Sequence, residues 1–311
     1  MIGYLHNMKT LSLLKSFDDG ILNALHETKS QILQEPDYKK IIPAANLRRM
    51  SKVIKMGVAT GISTAKDFEI GAIIVGTGLG CFDNSIIFTR EYHENKEGSL
   101  SPTAFTQSTD NTIAGQLALI LQNNNYNITY AHKGLAFENA LTDALLISHE
   151  ENVNVLVGGL DENINFFEIP EECKNKNYWL GEGASFFILN QHAENSLAKI
   201  LHCSTRSTGK TEEIIVDFLQ TNQLEMPDLI LYGNSFLNET DVEQDIKCAK
   251  VFNYSNTCGI YFTNSSFALH LATEIISNKS LAAEKGFEAE NILIINNFYN
   301  SDLGLIYISG C

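Results

Sequence analysis

The sequence predicts an α/β protein in which one unit of strands and helices occurs twice. Short apolar runs typical of buried strands alternate with segments of helical spacing, which is the pattern of layered α/β folds. Elements of the first half also have counterparts in the same order in the second. With 311 residues, 44% of them hydrophobic, the chain can bury a large core. We expect a single domain over residues 1–311, with pseudo-halves at about 45–200 and 201–311.

The composition excludes several classes of function. The 22 basic and 37 acidic residues give a net charge of −15, which disfavours binding to nucleic acid or to an anionic membrane. The apolar runs are too short to span a bilayer, and the first residues lack the apolar stretch of a secretory signal. The six cysteines form no CxxC or metal-type pair. We therefore expect a cytoplasmic protein with reduced thiols, no metal and no cofactor.

In the first half, the elements follow one another as strand, turn and helix. Apolar residues recur at helical spacing from Leu47 to Lys66, and Ala72–Val75 is typical of a buried strand. The remaining expectations are a polar loop over residues 85–101, a helix over Asn111–Leu121, a strand over Ile128–Ala131, a helix over Glu138–His149, and strands over Val153–Val157 and Phe186–Leu189.

The second half repeats this order. We expect a helix near 212–219, a strand over Leu229–Tyr232, a helix near 242–251, a strand over Gly259–Phe262, a helix over Phe267–Ile276 and a strand over Ile292–Ile295. Residues 73–78 match 230–234, the helix start at 136–137 matches 266–267, and residues 152–158 match 291–296. This ordered correspondence indicates a duplicated unit related by a pseudo-twofold axis.

Five short motifs lie along the chain in a fixed order. They are Arg48–Ser51, Gly76–Cys81, Pro102–Phe105 leading to Asn111–Gly115, Gly158–Glu162 and Leu180–Ala184. Together they resemble the β-ketoacyl-acyl carrier protein synthases of the thiolase-like fold. The resemblance covers roughly residues 45–300. It is strongest to the shorter, chain-length-factor-like proteins of bacterial aryl polyene and flexirubin-type pathways.

This resemblance implies a five-layered α/β/α/β/α domain that dimerises. In the family, the strand before the nucleophile pairs with its twofold mate, and an exposed strand edge is suited to such pairing. The corresponding interface residues of this chain are Asn127, Ile128, Thr129, Tyr130 and Ala131. The implied partners are an active ketosynthase subunit and an acyl carrier protein.

The catalytic residues of the family are replaced in this chain. Condensing synthases use a cysteine nucleophile and two histidines that stabilise the enolate. The matching positions here are Gly134, Tyr232 and Ile260, and the gate segment reads Asn296–Asn300. Because residues 82–172 contain no cysteine, no shift of the match restores the nucleophile.

Other residues were weighed as relocated catalytic groups. His132 lies beside the nucleophile position, and Cys258 precedes Gly259, but a turn histidine and a buried strand thiol are the simpler interpretations. The Gly233-Asn234-Ser235 turn lacks the second glycine of a nucleophile elbow.

The glycine turn after the first strand and three carboxylates were also considered. Gly76-Thr77-Gly78 lacks the remaining glycine spacing of a dinucleotide loop. Asp161, Glu162 and Glu182 are interpreted as cap or turn residues.

We therefore expect a non-catalytic, chain-length-factor-like subunit that heterodimerises with an active β-ketoacyl synthase in polyene or fatty-acid-type biosynthesis. One alternative is an acyltransferase or condensing enzyme that depends on acyl carrier protein and uses relocated groups. Another is an acyl-binding homodimer.

Four phenylalanines are expected in the core, although some of them can instead project across a dimer: Phe105, Phe137, Phe166 and Phe167.

Overall fold

The computed structural model contains one ten-stranded mixed sheet flanked by helices. It describes residues 1–14, 20–25, 33–94, 102–163, 179–207, 211–233, 250–298 and 302–311. The strands are β1 (Gly3–Leu11), β2 (Ala72–Thr77), β3 (Tyr126–Ala131), β4 (Val155–Asp161), β5 (Gly183–Asn190), β6 (Ala198–Ser207), β7 (Leu229–Gly233), β8 (Lys250–Asn253), β9 (Asn291–Phe298) and β10 (Asp302–Ser309).

The helices separate these strands along the chain. They are α1 (Ile21–Ala24), α2 (Ala44–Leu47), α3 (Lys52–Ala65), α4 (Phe82–Glu94), α5 (Pro102–Gln107), α6 (Thr112–Leu121), α7 (Ala136–Glu151), α8 (Thr211–Thr221), α9 (Ser255–Cys258), α10 (Ser265–Ser277) and α11 (Lys279–Glu284). Within the described ranges, no helix combines the length and the apolar character needed to span a bilayer.

The sheet consists of two five-stranded halves with the same internal order. The strand order is β3-β2-β4-β5-β1-β6-β10-β9-β7-β8. Counted outward from the central β1–β6 pair, the strands of the two halves follow in the same order. In this arrangement β2, β3, β4, β5 and β1 correspond to β7, β8, β9, β10 and β6. Among the described strands, the two half-sheets are joined where β1 pairs with β6 at Gly3–Ile200, Tyr4–Lys199 and Leu5–Ala198. The internal pseudo-twofold duplication is therefore confirmed.

Alternating side chains divide the molecule into five layers. In β2, Ala72 and Ile74 face a central cluster built around α7 and α10, whereas Ile73 and Val75 face an outer cluster with α3 and α6. In β7, Leu229 and Leu231 face the same central cluster, whereas Ile230 and Tyr232 face α8. Because successive strand residues point to opposite faces, each half-sheet is covered on both sides. The thiolase-like five-layered α/β/α/β/α architecture is confirmed.

Most of the expected elements are present, but the loop expected over residues 85–101 is wrong. Residues 82–94 form α4, while residues 95–101 lie outside the described ranges. None of the residues of α4 is buried. The helix therefore lacks the apolar stripe by which a helix is recognised in a sequence.

Three further expectations in the second half and in α3 need correction. Residues 259–262 form no strand: Ile260 makes a single bridge with Leu180, after Gly259 with φ of +79° ends the regular backbone. Residues 242–249 of the expected helix lie outside the described ranges, and its last residues belong to β8. The helix expected from Leu47 begins only at Lys52.

Candidate functional site

The turn between β3 and α7 contains Gly134, the residue that the sequence resemblance matches to the family's nucleophile. Its left-handed residue is Lys133, with φ of +67°, and the Lys133 N–H donates to the Gly78 carbonyl at 3.0 Å. Gly134 follows and is buried in a 3-10 turn over Lys133–Leu135. The strand-to-helix reversal of a nucleophile elbow is thus retained. Gly134, however, has no side chain to offer, and the side chain of Lys133 is exposed.

An asparagine from the second half of the chain holds this turn. Asn296, fully buried in β9, donates from Nδ2 to the Gly134 carbonyl at 2.6 Å and to Oε1 of Glu138 at 2.9 Å. Asn296 also pairs with Gly233 at the end of β7. The amide therefore fixes the elbow to the opposite half-sheet. The Asn296–Asn297 part of the gate segment is buried, and residues 299–300 lie outside the described ranges.

Glu138 is an ionisable group at the centre of the molecule. It is fully buried, and burial raises the pKa of its carboxyl to about 7, although the hydrogen bond from Asn296 and the nearby Ser265 hydroxyl oppose this shift. A carboxyl with this pKa can exchange a proton near neutral pH. Because it is enclosed on all sides, a substrate cannot reach it. The sequence analysis missed this residue, although a glutamate between Phe137 and the apolar positions of the same helix was a visible signal.

The side chains of the two residues that the sequence resemblance matches to the family's histidines, Tyr232 and Ile260, do not present donors to this turn. The Tyr232 side chain packs in the outer cluster beside α8, on the face of the sheet away from the central layer. Ile260 is half-buried; its N–H donates to Trp179 and its carbonyl accepts from Gly181. An isoleucine side chain has no group that can stabilise an oxyanion.

The relocated candidates Cys258 and His132 have ordinary structural contacts. The Cys258 thiol is fully buried and donates to the carbonyls of Tyr254 and Gly259 at 3.5 and 3.4 Å. His132 is exposed, and its Nε2 lies 2.7 Å from the Asn139 side-chain amide. These contacts supply no base to the thiol.

Asp161 joins three turns at the ends of β2 and β4 and before α10. Its Oδ1 accepts from the Thr77 hydroxyl and from the N–H groups of Gly78 and Leu79, and its Oδ2 accepts from the N–H and hydroxyl of Thr263. Burial raises the pKa of Asp161 to about 6 against the opposing effect of these bonds. Since the turn after β2 already uses its N–H groups on a carboxylate, it is not a phosphate cradle.

Glu182 and Glu162 lie beside Lys52 at the start of α3. Both carboxylate oxygens of Glu182 accept from Lys52 Nζ at 2.6 Å, and Glu182 also caps the Asn163 N–H. Burial, together with nearby Asp83, raises the pKa of Glu162 to about 7. These contacts agree with the interpretation of the carboxylates as turn and cap residues.

The phenylalanines fall into different environments. Phe137 is fully buried, with its ring centroid 6.1 Å from that of Phe187. The expectation of a core position is wrong for Phe105, which is 58% exposed and contacts the ring of Phe88. The cause is that α5 packs on α4, which contributes no buried residue. Phe166 and Phe167 lie outside the described ranges, as do Asn234 and Ser235.

Strand β3 forms one edge of the sheet. It pairs in parallel with β2, and among the described strands none lies on its other side. Its residues are exposed or half-buried, unlike those of β2 and β4, which are fully buried. A free strand edge of this kind can accept a further strand.

A cleft of about 400 Å³ opens between α2, α5 and α6. Its charged lining residues are Arg48 and Arg49, accompanied by Thr103, Thr106 and Gln116, and none of the described residues that line it is acidic. The cleft is therefore a basic site on an acidic protein. Elsewhere in the described ranges, no group of three His, Cys, Asp or Glu residues is placed to hold a metal ion.

Comparison with known proteins identifies the family. Residues 24–178 match the family model described as β-ketoacyl synthase, N-terminal domain. Together with the five-layered architecture, this match shows that the chain belongs to the β-ketoacyl synthase-like family of the thiolase-like fold. No sequence among the curated proteins matches the chain.

Solved structures share the fold over most of their length. A type II polyketide acyl carrier protein in complex with its ketosynthase has a TM-score of 0.76 and 13% identity, covering 100% of this chain and 99% of that chain. The ishigamide ketosynthase/chain length factor has a TM-score of 0.73 and 14% identity, covering 99% of each chain. The ketosynthase ApeO with its chain length factor ApeC from Xenorhabdus doucetiae has a TM-score of 0.52 and 18% identity, covering 73% and 94%.

Proposed function

We propose that this chain is a non-catalytic, chain-length-factor-like subunit that forms a heterodimer with an active β-ketoacyl synthase. The observation that carries the proposal is the buried turn at Gly134, between β3 and α7. The position offers no nucleophile, and its carbonyl is held by the buried Asn296 amide. Two structural neighbours, the ishigamide ketosynthase/chain length factor and ApeO in complex with ApeC, combine a ketosynthase with a chain length factor, which supports the proposal.

The loss of chemistry at this site extends beyond one residue. Without a nucleophile, the covalent acyl-enzyme route is unavailable. Without either oxyanion donor, each missing hydrogen bond costs a factor of about 10²–10³ in rate. The Tyr232 side chain faces the outer layer and Ile260 has no donor. The combination disfavours the alternative of a condensing enzyme with relocated groups.

The dimer would form through β3, with Asn127–Ala131 as the pairing residues. The free edge of β3 supports this proposal, because strand addition satisfies its backbone groups. The exposed Phe105 and its neighbours on α4 and α5 are suited to contact the partner. Bulky rings there would set the depth of the partner's acyl tunnel by steric exclusion.

The acyl carrier protein would bind at the basic cleft. Arginine pairs well with phosphate and carboxylate, so Arg48 and Arg49 suit an anionic carrier surface or a phosphate-bearing acyl arm. The cleft stands out because the chain as a whole carries a net charge of −15.

The test is co-expression with each cysteine-containing β-ketoacyl synthase that the same genome encodes. We expect a 1:1 pair whose product chain length changes when this chain is left out. Ala131→Arg, at the exposed end of β3, should abolish the pair, whereas the matched control Ala283→Arg on the exposed face of α11 should leave it intact. Arg48→Ser should weaken carrier-protein binding by the pair.

Two results would contradict the proposal. One is a chain that stays alone while the synthase makes an unaltered product without it. The other is a covalent acyl adduct on this chain, detected by mass spectrometry after incubation with acyl or malonyl carrier protein. An adduct would favour the acyltransferase alternative, and a stable self-dimer with co-purified acyl groups would favour the homodimer.

A further inference from the structure

Two tyrosines of β3 converge on one carboxylate of α7. The Tyr126 hydroxyl donates to Oδ2 of Asp143 at 3.1 Å, and the Tyr130 hydroxyl lies close enough to interact with the same carboxylate. Tyr126 is 42% exposed, and Asp143 is half-buried. Partial burial and the neighbouring Asp143 raise the pKa of both tyrosines above its ordinary value. The cluster therefore favours neutral phenols beside the Asp143 carboxylate.

The contacts also locate this carboxylate along the strand. Tyr126 and Tyr130 are separated by four residues on one face of β3, with Ile128 midway between them. A carboxylate that reaches both hydroxyls lies above the middle of the strand. Asp143 itself is near the middle of α7, which spans Ala136–Glu151.

A position above the middle of an edge strand has a consequence in a twofold dimer. When two antiparallel copies of β3 pair about their midpoints, the axis passes beside Ile128. A group next to such an axis meets the same group of the other copy, because the interface is isologous. Two Asp143 carboxylates would then face each other, and opposed like charges destabilise a pair.

We propose that Asp143 selects the partner: it disfavours pairing of this chain with itself and favours a synthase that presents an arginine or lysine at the seam. This inference rests on the proposed function, because it takes β3 as the pairing strand. An ionised carboxylate accepts up to four hydrogen bonds, and the two phenols leave capacity for a cationic donor.

Among the described residues, the other basic groups at this edge do not replace that donor within one chain. His132 and Lys133 are exposed at the opposite end of β3 from Tyr126, and His132 is directed to Asn139. Leu146, 37% exposed on the next turn of α7 after Asp143, adds apolar surface beside the carboxylate. On this face the Asp143 carboxylate thus lies beside apolar surface. A partner that presents a basic side chain next to apolar residues would complement it.

The experiment compares self-association and pairing for wild type, Asp143→Asn and Asp143→Lys, by sedimentation of this chain alone and with the synthase. Asp143→Asn keeps the size and an acceptor for the phenols. It should strengthen self-association about tenfold and weaken pairing with the synthase about tenfold. Asp143→Lys should weaken pairing further. Glu284→Gln, which removes an exposed charge from α11, is the matched control and should change neither.

Salt gives an independent measure of the repulsion. Raising NaCl from about 0.05 M to about 0.5 M should strengthen self-association of wild type more than that of Asp143→Asn. Salt screens the general repulsion between two acidic chains in both proteins, whereas the repulsion between the two Asp143 carboxylates exists only in wild type. Values for Asp143→Asn within about twofold of wild type in both assays would overturn the inference while leaving the heterodimer intact. If wild type forms no pair at all, the proposed function fails, and the self-association measurements still decide the role of Asp143.

Discussion

Two fully buried carboxyl groups near the centre of the molecule are stabilised to different extents. Asp161 accepts five hydrogen bonds from Thr77, Gly78, Leu79 and Thr263, which suits an ionised carboxylate. Glu138 accepts one from Asn296, and its Oε2 atom has no partner that meets hydrogen-bond geometry, although Ser265 lies close. The pKa of Glu138 is accordingly raised to about 7, that of Asp161 only to about 6.

This difference makes Glu138 a source of pH-dependent stability. Its pKa rises from 4.5 in the unfolded chain to about 7 in the folded one, so the folded state holds the proton more tightly. The contribution of Glu138 is fully present below about pH 4.5 and is lost as the pH rises through 7. Glu138→Gln should therefore raise the free energy of unfolding at pH 8 by about 2 kcal/mol and leave it nearly unchanged at pH 5. Denaturant titrations at both pH values measure this.

Glu138→Ala is the informative control for that variant. It removes the acceptor of the Asn296 amide and leaves a cavity, so it should destabilise the protein at both pH values. Equal effects of Glu138→Gln at pH 5 and pH 8 would show that ionisation of this carboxyl is not the cause.

At the scale of elements, the close approach of α7 to β2 depends on a single glycine. A Cβ at Gly76 would lie 2.7 Å from the Ala136 carbonyl oxygen and 2.8 Å from the Phe137 Cα, both of which are backbone atoms. Backbone atoms cannot move aside as the end of a flexible side chain can. The start of α7, which carries the elbow, is therefore positioned by direct contact with the strand that Asp161 also holds.

Gly76→Ala should destabilise the protein by about 2–4 kcal/mol, because the helix must move away from the strand. Gly115→Ala provides the comparison, since a Cβ at this position in α6 meets no atom within 4 Å. It should be neutral or stabilising by up to about 1 kcal/mol. Thermal and denaturant unfolding of both variants test this, and similar losses for the two would remove the role given to close packing.

The elements that the sequence predicts correctly are those with a one-sided or continuous apolar pattern. α6, α7 and α10, with strands β2, β4, β7 and β9, contribute directly to the buried clusters. α4 escaped prediction because it buries no residue, and β8 because its register emerges only from pairing with β7. Strands β1, β6 and β10 carry polar residues between apolar ones and gain their place from neighbours far along the chain.

The features of the candidate site also divide into those that a local pattern in the sequence predicts and those that depend on residues far apart in the chain. The positions Gly134, Tyr232 and Ile260 can be read from motifs, because local turns fix them. The Asn296 contact to Gly134 joins residues 162 apart, and the outward direction of Tyr232 depends on the register of β7 with β9. Neither contact leaves a local pattern in the sequence.

At the scale of the whole molecule, the central helices connect the halves more extensively than the sheet does. Among the described strands, the sheet is continuous through three β1–β6 residue pairs. By contrast, the central cluster contains α7 and α10 together with the inner faces of both half-sheets, from Ile74 to Ile294. Each half therefore buries its inner face against helices that it shares with the other.

We expect the chain to unfold in one cooperative transition, because neither half can keep its inner face covered alone. Trp179 is the single tryptophan, and it packs against the outer cluster of the first half. Its fluorescence reports on that half, whereas far-ultraviolet circular dichroism reports on both. The two midpoints in denaturant should coincide, and separated midpoints would indicate two independently folding units.

The direction of the Tyr232 side chain limits what the replacement of side chains alone can restore. Replacing Gly134 by cysteine would restore a thiol, and replacing Tyr232 by histidine would restore an imidazole. A histidine side chain at position 232 would nevertheless pack against α8 and would not lie beside the thiol. A Gly134→Cys, Tyr232→His double variant would therefore carry its thiol and its imidazole on opposite sides of a half-sheet, and the two side chains alone would not assemble a catalytic pair.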